Sequence, residues 1–303
     1  MKKSFLLDQN YINTRLDKWF RLNICEVPQS LIEKSIRKGK IKINNKKEKC
    51  SYKLQKNDCI TLYNIDFSPN KSKRHTYKYI ATKKELSSST DMFIENNENF
   101  VVINKPPGIA VQSGTKSRRN ILDILRSTKE FKDVSPYAVH RIDKETTGVL
   151  IVAKNRNYAQ LFTSLFRIRK IYKTYLGIVV GQLEKHKGTF TDMLFYYEGK
   201  KQTKVKAITH FEVLDSNNSY SFIKLNPETG RKHQLRKQML IHGHPIVGDS
   251  KYRMSDKRIK SKDFLMLHAH NINFSIDGKK YNFSAKIPLA FNNVLKEKYL
   301  KTF

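Results

Sequence analysis

Two short stretches of this chain hold the residue types that can carry out chemistry. The first is His140-Arg141-Ile142-Asp143-Lys144-Glu145-Thr146-Thr147-Gly148, followed at once by the apolar run Val149 to Ala153. A polar loop set against a rigid buried strand can hold a reactive side chain in one place. Asp143 is the candidate: ionised, it can act as nucleophile or base, and Arg141 two residues earlier can supply positive charge near a phosphate. Taken alone, the loop reads equally well as a turn whose Asp hydrogen-bonds its own backbone. The second stretch is Pro227-Glu228-Thr229-Gly230-Arg231-Lys232-His233-Gln234-Leu235-Arg236. A turn at Gly230 runs into a helix that carries Leu235 and Met239 at i, i+4 and ends at Gly243, with Arg236 about one turn inside it.

The elements around these stretches must position them. Phe100 to Asn104 reads as a strand, Lys105-Pro106-Pro107-Gly108 as a forced turn, and Asn120 to Leu125 as a helix. Asn155 is suited to cap a helix whose Tyr158, Leu161, Phe162, Leu165 and Phe166 form a 3.6-residue apolar face, with a basic end from Arg167 to Lys170. Ile171 to Gly181 is a long strand. Alternation puts Lys173 and Tyr175 on one of its faces and Tyr172, Thr174 and Leu176 on the other, and Tyr172 is read as a core aromatic. Strands alternating with turns from Met92 onward predict an α+β fold over residues 92–303.

The front of the chain has a different texture. Between Thr14 and Leu62, Leu16, Trp19, Phe20 and Leu22 follow a helical spacing, Ser30 is a candidate N-cap for a second helix, and Gly39 ends it. Two strands follow, at Ile41 to Ile43 and at Asp58 to Leu62. Lys34, Arg37, Lys38, Lys40 and Lys42 line the second helix and its exit as a positive stripe suited to phosphates. Residues 63–91 have the Asn, Ser, Lys and Thr composition of a basic linker, with a hint of a strand at Tyr77, Tyr79 and Ile80.

Composition narrows the partners. The 303 residues carry 59 Lys+Arg against 27 Asp+Glu, a formal charge of +32 that calls for a polyanion, nucleic acid first. Enrichment in Asn and Ile points to an AT-biased coding sequence, so the sign of this charge is more informative than its size. The three cysteines, Cys25, Cys50 and Cys59, have neither the spacing nor the number of a disulfide framework or zinc ribbon, which fits a reducing cytoplasm. Asp8 interrupts the apolar start too early for a signal peptide, and no run approaches the ~18 apolar residues of a membrane span.

The wording HRIDKETTGVLIVAK resembles the HRLDxxTSGLLLxAK signature of the large RNA pseudouridine synthase family, whose members act on ribosomal and transfer RNA. PETGRKHQLR resembles that family's ETGRTHQIRxH motif, and Lys173-Thr174-Tyr175 with the later glycines resembles its Lys-x-Tyr motif. The Lys-Pro-Pro-Gly turn, Gly243 to Asp249 and Leu267 to His270 complete the likeness, in order, over nearly the whole chain. It implies a mixed, mostly antiparallel sheet as the catalytic domain and isomerisation of uridine to pseudouridine in large-subunit ribosomal RNA, by a monomer without cofactor or metal. It also assigns roles: Asp143 acts on the ribose, Arg141 contacts the RNA near the flipped nucleotide, Tyr175 stacks on the base, and Arg236 holds and orients Asp143. Thr147 stands where the family has Ser and Gln238 where it has His, which puts fine positioning in doubt. The front stretch resembles the helix-loop-strand RNA-binding module first recognised in a small-subunit ribosomal protein.

Other functions weigh less. His242/His244 and His268/His270 could pair on a metal, but the expected carboxylate or thiolate partners and an HExxH helix are absent. No phosphate loop, dinucleotide fingerprint or GxSxG elbow occurs. A non-catalytic RNA-binding assembly factor and a synthase acting on transfer RNA are the alternatives. Against the first stands Asp143, because a pure binder has no use for a carboxylate that repels phosphate.

Overall fold

The computed structural model describes residues 2–25, 27–65, 90–113, 119–198, 201–254 and 264–302. Contacts divide the chain into Met1–Thr76 and Tyr77–Phe303. Most of the expected linker, residues 66–89 with Tyr77, Tyr79 and Ile80, lies outside the described residues.

In the first unit, strands β1 (Lys2–Leu6), β2 (Ile41–Ile43) and β3 (Cys59–Tyr63) form an antiparallel sheet in the order β1-β3-β2. Because β1 pairs with β3 along its whole length, the unit begins ahead of the Thr14 start suggested by the sequence. Helices α1 (Leu16–Asn23) and α2 (Gln29–Arg37) bury Leu16, Trp19, Phe20, Ile32 and Ile36 against it. Two details of the sequence reading are corrected. Leu22 points to solvent at 61% exposure, since the apolar stripe is fully supplied by its neighbours. Ser30 does not cap α2: the helix enters through Pro28, whose φ of −53° sets the first turn, and no side chain caps it. Gly39, at φ 71°, ends α2 as expected, with Lys40 N–H returning to the Ser35 carbonyl.

The second unit is built on a ten-stranded sheet. Its main path runs β4 (Phe93–Asn96), β5 (Phe100–Lys105), β7 (Thr147–Ala153), β12 (Leu267–Ile276), β8 (Tyr172–Val180), β11 (Tyr220–Pro227), β10 (Lys201–Ser216), β9 (Lys187–Glu198). Short β6 (Tyr137–Ala138) adds to β7 and β13 (Lys279–Ser284) to β12. Among the described strands of this sheet, β7 and β12 pair in parallel and the other neighbours are antiparallel. All seven residues of β7 are buried, because the strand is covered on both faces. On one side Leu150 and Val152 pack with Ile121, Ile124 and Leu125 of helix α3 (Ile121–Arg126); on the other Val149 and Ile151 pack with Phe162 of α4 (Arg156–Arg167). Asn120 and Asn155 cap these two helices through hydrogen bonds to the N–H groups of Asp123 and Tyr158. A third cluster joins β8 and β11 to α5 (Gln234–Ile241) and α6 (Leu289–Glu297).

Tyr172 is corrected as well: at the first position of β8 it is 61% exposed, beyond the cover of the core.

Candidate active site

The two chemical stretches meet through β12. Ala269 pairs with Gly148 on β7 and with Tyr175 on β8, so one residue sets the loop that precedes β7 beside the tyrosine two strands away. That approach requires glycine at 148. Its φ is 109°, and a Cβ there would collide with the Ala269 carbonyl. Next to it, Thr147 and His268 share a 2.8 Å hydrogen bond, and His268 Nε2 faces the Ala285 carbonyl at 3.3 Å, so the ring is neutral and accepts from the threonine hydroxyl. Burial, above all, lowers His268 to about 4. Thr147 in place of Ser therefore keeps a bonded hydroxyl that the fold uses.

The loop itself is held at both ends. His140 accepts the Ile151 N–H through Nε2 at 2.8 Å and stacks on Phe166, and burial pushes it down to about 3. Lys105, with no exposed surface, donates to the carbonyls of Pro106, Ile109 and Lys144 at 2.7 to 3.0 Å. One ammonium thus ties the Lys-Pro-Pro-Gly turn to the loop that carries Asp143, although burial lowers it to about 7.

Asp143 faces Arg236 and His233. Arg236 reaches Asp143 Oδ2 at 3.2 Å through one terminal nitrogen, and its Nε and other terminal nitrogen grip Asp249 at 2.6 and 2.7 Å. Burial works against the Arg236 charge, but the hydrogen bonds and charge of Asp249, followed by Asp143, outweigh it and raise its pKa. Asp249, its side chain wholly enclosed, also accepts the N–H groups of Lys251 and Tyr252. Burial alone would raise its pKa; Arg236 and the two N–H groups hold it low instead. Tyr252 lies under the guanidinium at 5.1 Å and bonds His233 Nδ1 at 2.8 Å, which leaves Nε2 3.7 Å from Asp143 Oδ1. His233 opens α5 from a left-handed conformation, φ 54°.

Asp143, His233 and Arg236 line a cleft of about 650 Å³ with Arg141, Lys173 and Tyr175. Arg141 is exposed at its edge, while burial and the Asp143 charge keep the Tyr175 hydroxyl protonated by raising its pKa. All four residues expected from the sequence, Arg141, Asp143, Tyr175 and Arg236, come together here. His233 and Asp249 fall inside stretches that carry the family likeness, yet their type and spacing there assign them no role, and Tyr252 lies outside those stretches. Gln238 faces away from the cleft: it is 1% exposed, donates to Asp192 and accepts from Thr209, tying α5 to β9 and β10. Its departure from the family pattern thus bears on the scaffold behind the helix. Of the paired histidines, His242 faces Asp192, His244 the Val180 carbonyl and His268 the Thr147 hydroxyl, and no group able to hold a metal occurs among the described residues.

The expected basic residues lie in the other unit, where Lys34, Arg37, Lys38 and Lys40 are exposed and Lys42 sits 5.2 Å over the Tyr63 ring.

The family model for RNA pseudouridylate synthase matches residues 99–240, a span that contains Arg141, Asp143, Tyr175, His233 and Arg236, while Asp249 and Tyr252 lie beyond it. The chain is 32% identical, over 93% of itself and 96% of the relative, to ribosomal large subunit pseudouridine synthase C of Rickettsia felis. The chain belongs to the RNA pseudouridine synthase family. It is 33% identical to the same enzyme of Buchnera aphidicola (strain Sg), over 95% of each chain. Among solved structures, human RNA pseudouridylate synthase domain containing 4 aligns at a TM-score of 0.61 and 27% identity, over 72% of this chain and 96% of that one. As an RNA pseudouridine synthase the protein is an isomerase, and its mostly antiparallel sheet is that of the family.

Proposed function

We propose that the protein converts uridines of large-subunit ribosomal RNA to pseudouridine, with Asp143 as the essential carboxylate. The reading rests on one observation above others: Asp143 lies in an open cleft next to Arg236, which is itself fixed by the buried Asp249. Relatives that match 93% to 95% of this chain are named for action on the large ribosomal subunit, which supports that substrate class.

The reaction breaks the bond from ribose C1′ to uracil N1 and forms one from C1′ to C5; N1 gains a proton and C5 loses one, so the sum is an isomerisation. The target base leaves the stack and enters the cleft. Arg141 holds the RNA near the vacated position, Tyr175 supports the uracil ring, and Asp143 acts on the ribose, as nucleophile at C1′ or as base at C2′. Arg236 fixes one carboxylate oxygen throughout. The basic face of the first unit adds affinity by engaging phosphates, not chemistry.

The test is to map pseudouridine by carbodiimide derivatisation and primer extension in RNA from cells with and without the gene. Loss of defined positions in large-subunit RNA is expected. Loss confined to transfer RNA would move the substrate, and no loss would leave an assembly factor.

A further inference from the structure

Two lysines of the second unit are withdrawn from water, and the fold treats them differently. Lys105 is wholly buried and each of its ammonium hydrogens has a backbone carbonyl to bond. Lys173 is half-buried on the wall of the cleft, and among the described residues nothing accepts from its ammonium or pairs with it. Desolvating an ammonium without an acceptor costs free energy. The neighbouring charge adds to that cost. Arg169 lines the same cleft, and burial together with the Arg169 charge brings Lys173 down to about 8. The two carboxylates that line the cleft are engaged elsewhere, Asp143 by Arg236 and Glu228 by His210.

Arg169 occupies an equally unusual position. It follows α4 with φ 58°, at the site where a helix end usually places glycine, and Lys170 N–H closes the turn on the Leu165 carbonyl. A long charged side chain is kept where backbone strain disfavours it, and it is exposed at the cleft rim next to Arg167. Along β8, Lys173 is two residues from Tyr175 on the same face, about 7 Å away at the rise of a strand. That is the reach from a base to a nearby phosphate of its own strand.

We infer that Lys173 and Arg169 form a phosphate subsite that clamps the RNA backbone beside the nucleotide held by Tyr175 and Asp143. The inference rests on the proposed function, since an RNA phosphodiester is the anion that substrate brings into the cleft. Bound there, the phosphate accepts from the unpartnered ammonium and relieves the repulsion between the two cations.

The experiment uses full-length protein and short RNAs that contain one mapped target uridine, with a neutral methylphosphonate replacing each nearby phosphate in turn. Half-saturating enzyme concentration is measured in single-turnover assays for wild type, Lys173→Gln and Lys173→Arg. In wild type, one position is expected to cost about tenfold, a loss typical of one charge-assisted hydrogen bond. Lys173→Gln should cost about the same on unmodified RNA and be indifferent to that one substitution, whereas Lys173→Arg should keep the penalty. Losses that multiply at every position, unchanged binding by Lys173→Gln, or a Lys173→Arg variant with no position-specific penalty would overturn the subsite. No turnover of the unmodified RNA by wild type would overturn the proposed function, and the subsite with it.

Discussion

Arg236 meets Asp249 side-on, with two nitrogens on the two carboxylate oxygens at 2.6 and 2.7 Å, and has a single nitrogen left for Asp143 at 3.2 Å. Asp249 is therefore the group that aims the guanidinium. Arg236→Lys should lower turnover about 100-fold, because a point charge cannot serve both carboxylates. Asp249→Asn should lower it at least about tenfold while RNA affinity stays within a factor of a few. Single-turnover rate constants and binding isotherms separate these effects; full activity in Arg236→Lys would reduce Arg236 to a general positive charge.

Gly148 provides a test of the architecture that joins the loop to Tyr175. With φ at 109° and the Ala269 carbonyl against it, Gly148→Ala should destabilise the protein by more than about 2 kcal/mol. Denaturant unfolding reads this directly. A loss below about 0.5 kcal/mol would mean that the β7–β12 approach is looser than described.

His140 and His268 set a pH dependence. Burial holds them at about 3 and about 4 in the folded protein, against 6.5 for a free side chain. As pH falls below about 6.5 the unfolded chain takes up protons that the folded chain refuses, so these two groups lower stability across the window from about 6.5 down to about 4 for His268 and about 3 for His140. The urea midpoint should drop over that range, and His268→Gln should flatten the drop. An equal slope in the variant would show that His268 titrates alike in both states.

The positive stripe of the first unit should act on affinity alone. Replacing Lys34, Arg37 and Lys38 by Gln in the full chain should reduce the slope of log affinity against log salt by about 0.7 to 0.9 for each phosphate no longer neutralised. The rate constant at saturating enzyme should hold. One that stays low at any enzyme concentration would mean that this unit takes part in assembling the site.

The features legible in the sequence are local ones. Asp143, Arg141 and Arg236 stand in contiguous motifs whose residue types announce their chemistry, and Asn155, Gly39 and Gly243 mark helix ends through backbone preferences that do not depend on distant partners. The features that escape it depend on packing across the chain. Asp249 lies thirteen residues beyond Arg236 in a turn and reads there as a loop aspartate. Tyr252 gains its role only when that turn folds back under the guanidinium. Alternation along β8 places Tyr175 on the right face, but it cannot tell that the sheet leaves Tyr172 uncovered, since a strand pattern gives faces and not depth. The strand Lys2–Leu6 escapes a local reading because its pairing partner lies more than fifty residues away.

The Asp143 carboxylate is the group proposed to do the chemistry. Asp143→Asn keeps the volume and a hydrogen-bonding group while removing the charge, so RNA binding should stay within a factor of a few and the Arg236–Asp249 pair should remain intact. The decisive measurement is pseudouridine formed at the mapped uridine in a single-turnover assay with saturating variant enzyme. None above background is predicted after many wild-type half-lives; pseudouridine formed at even a few per cent of the wild-type rate would contradict the claim.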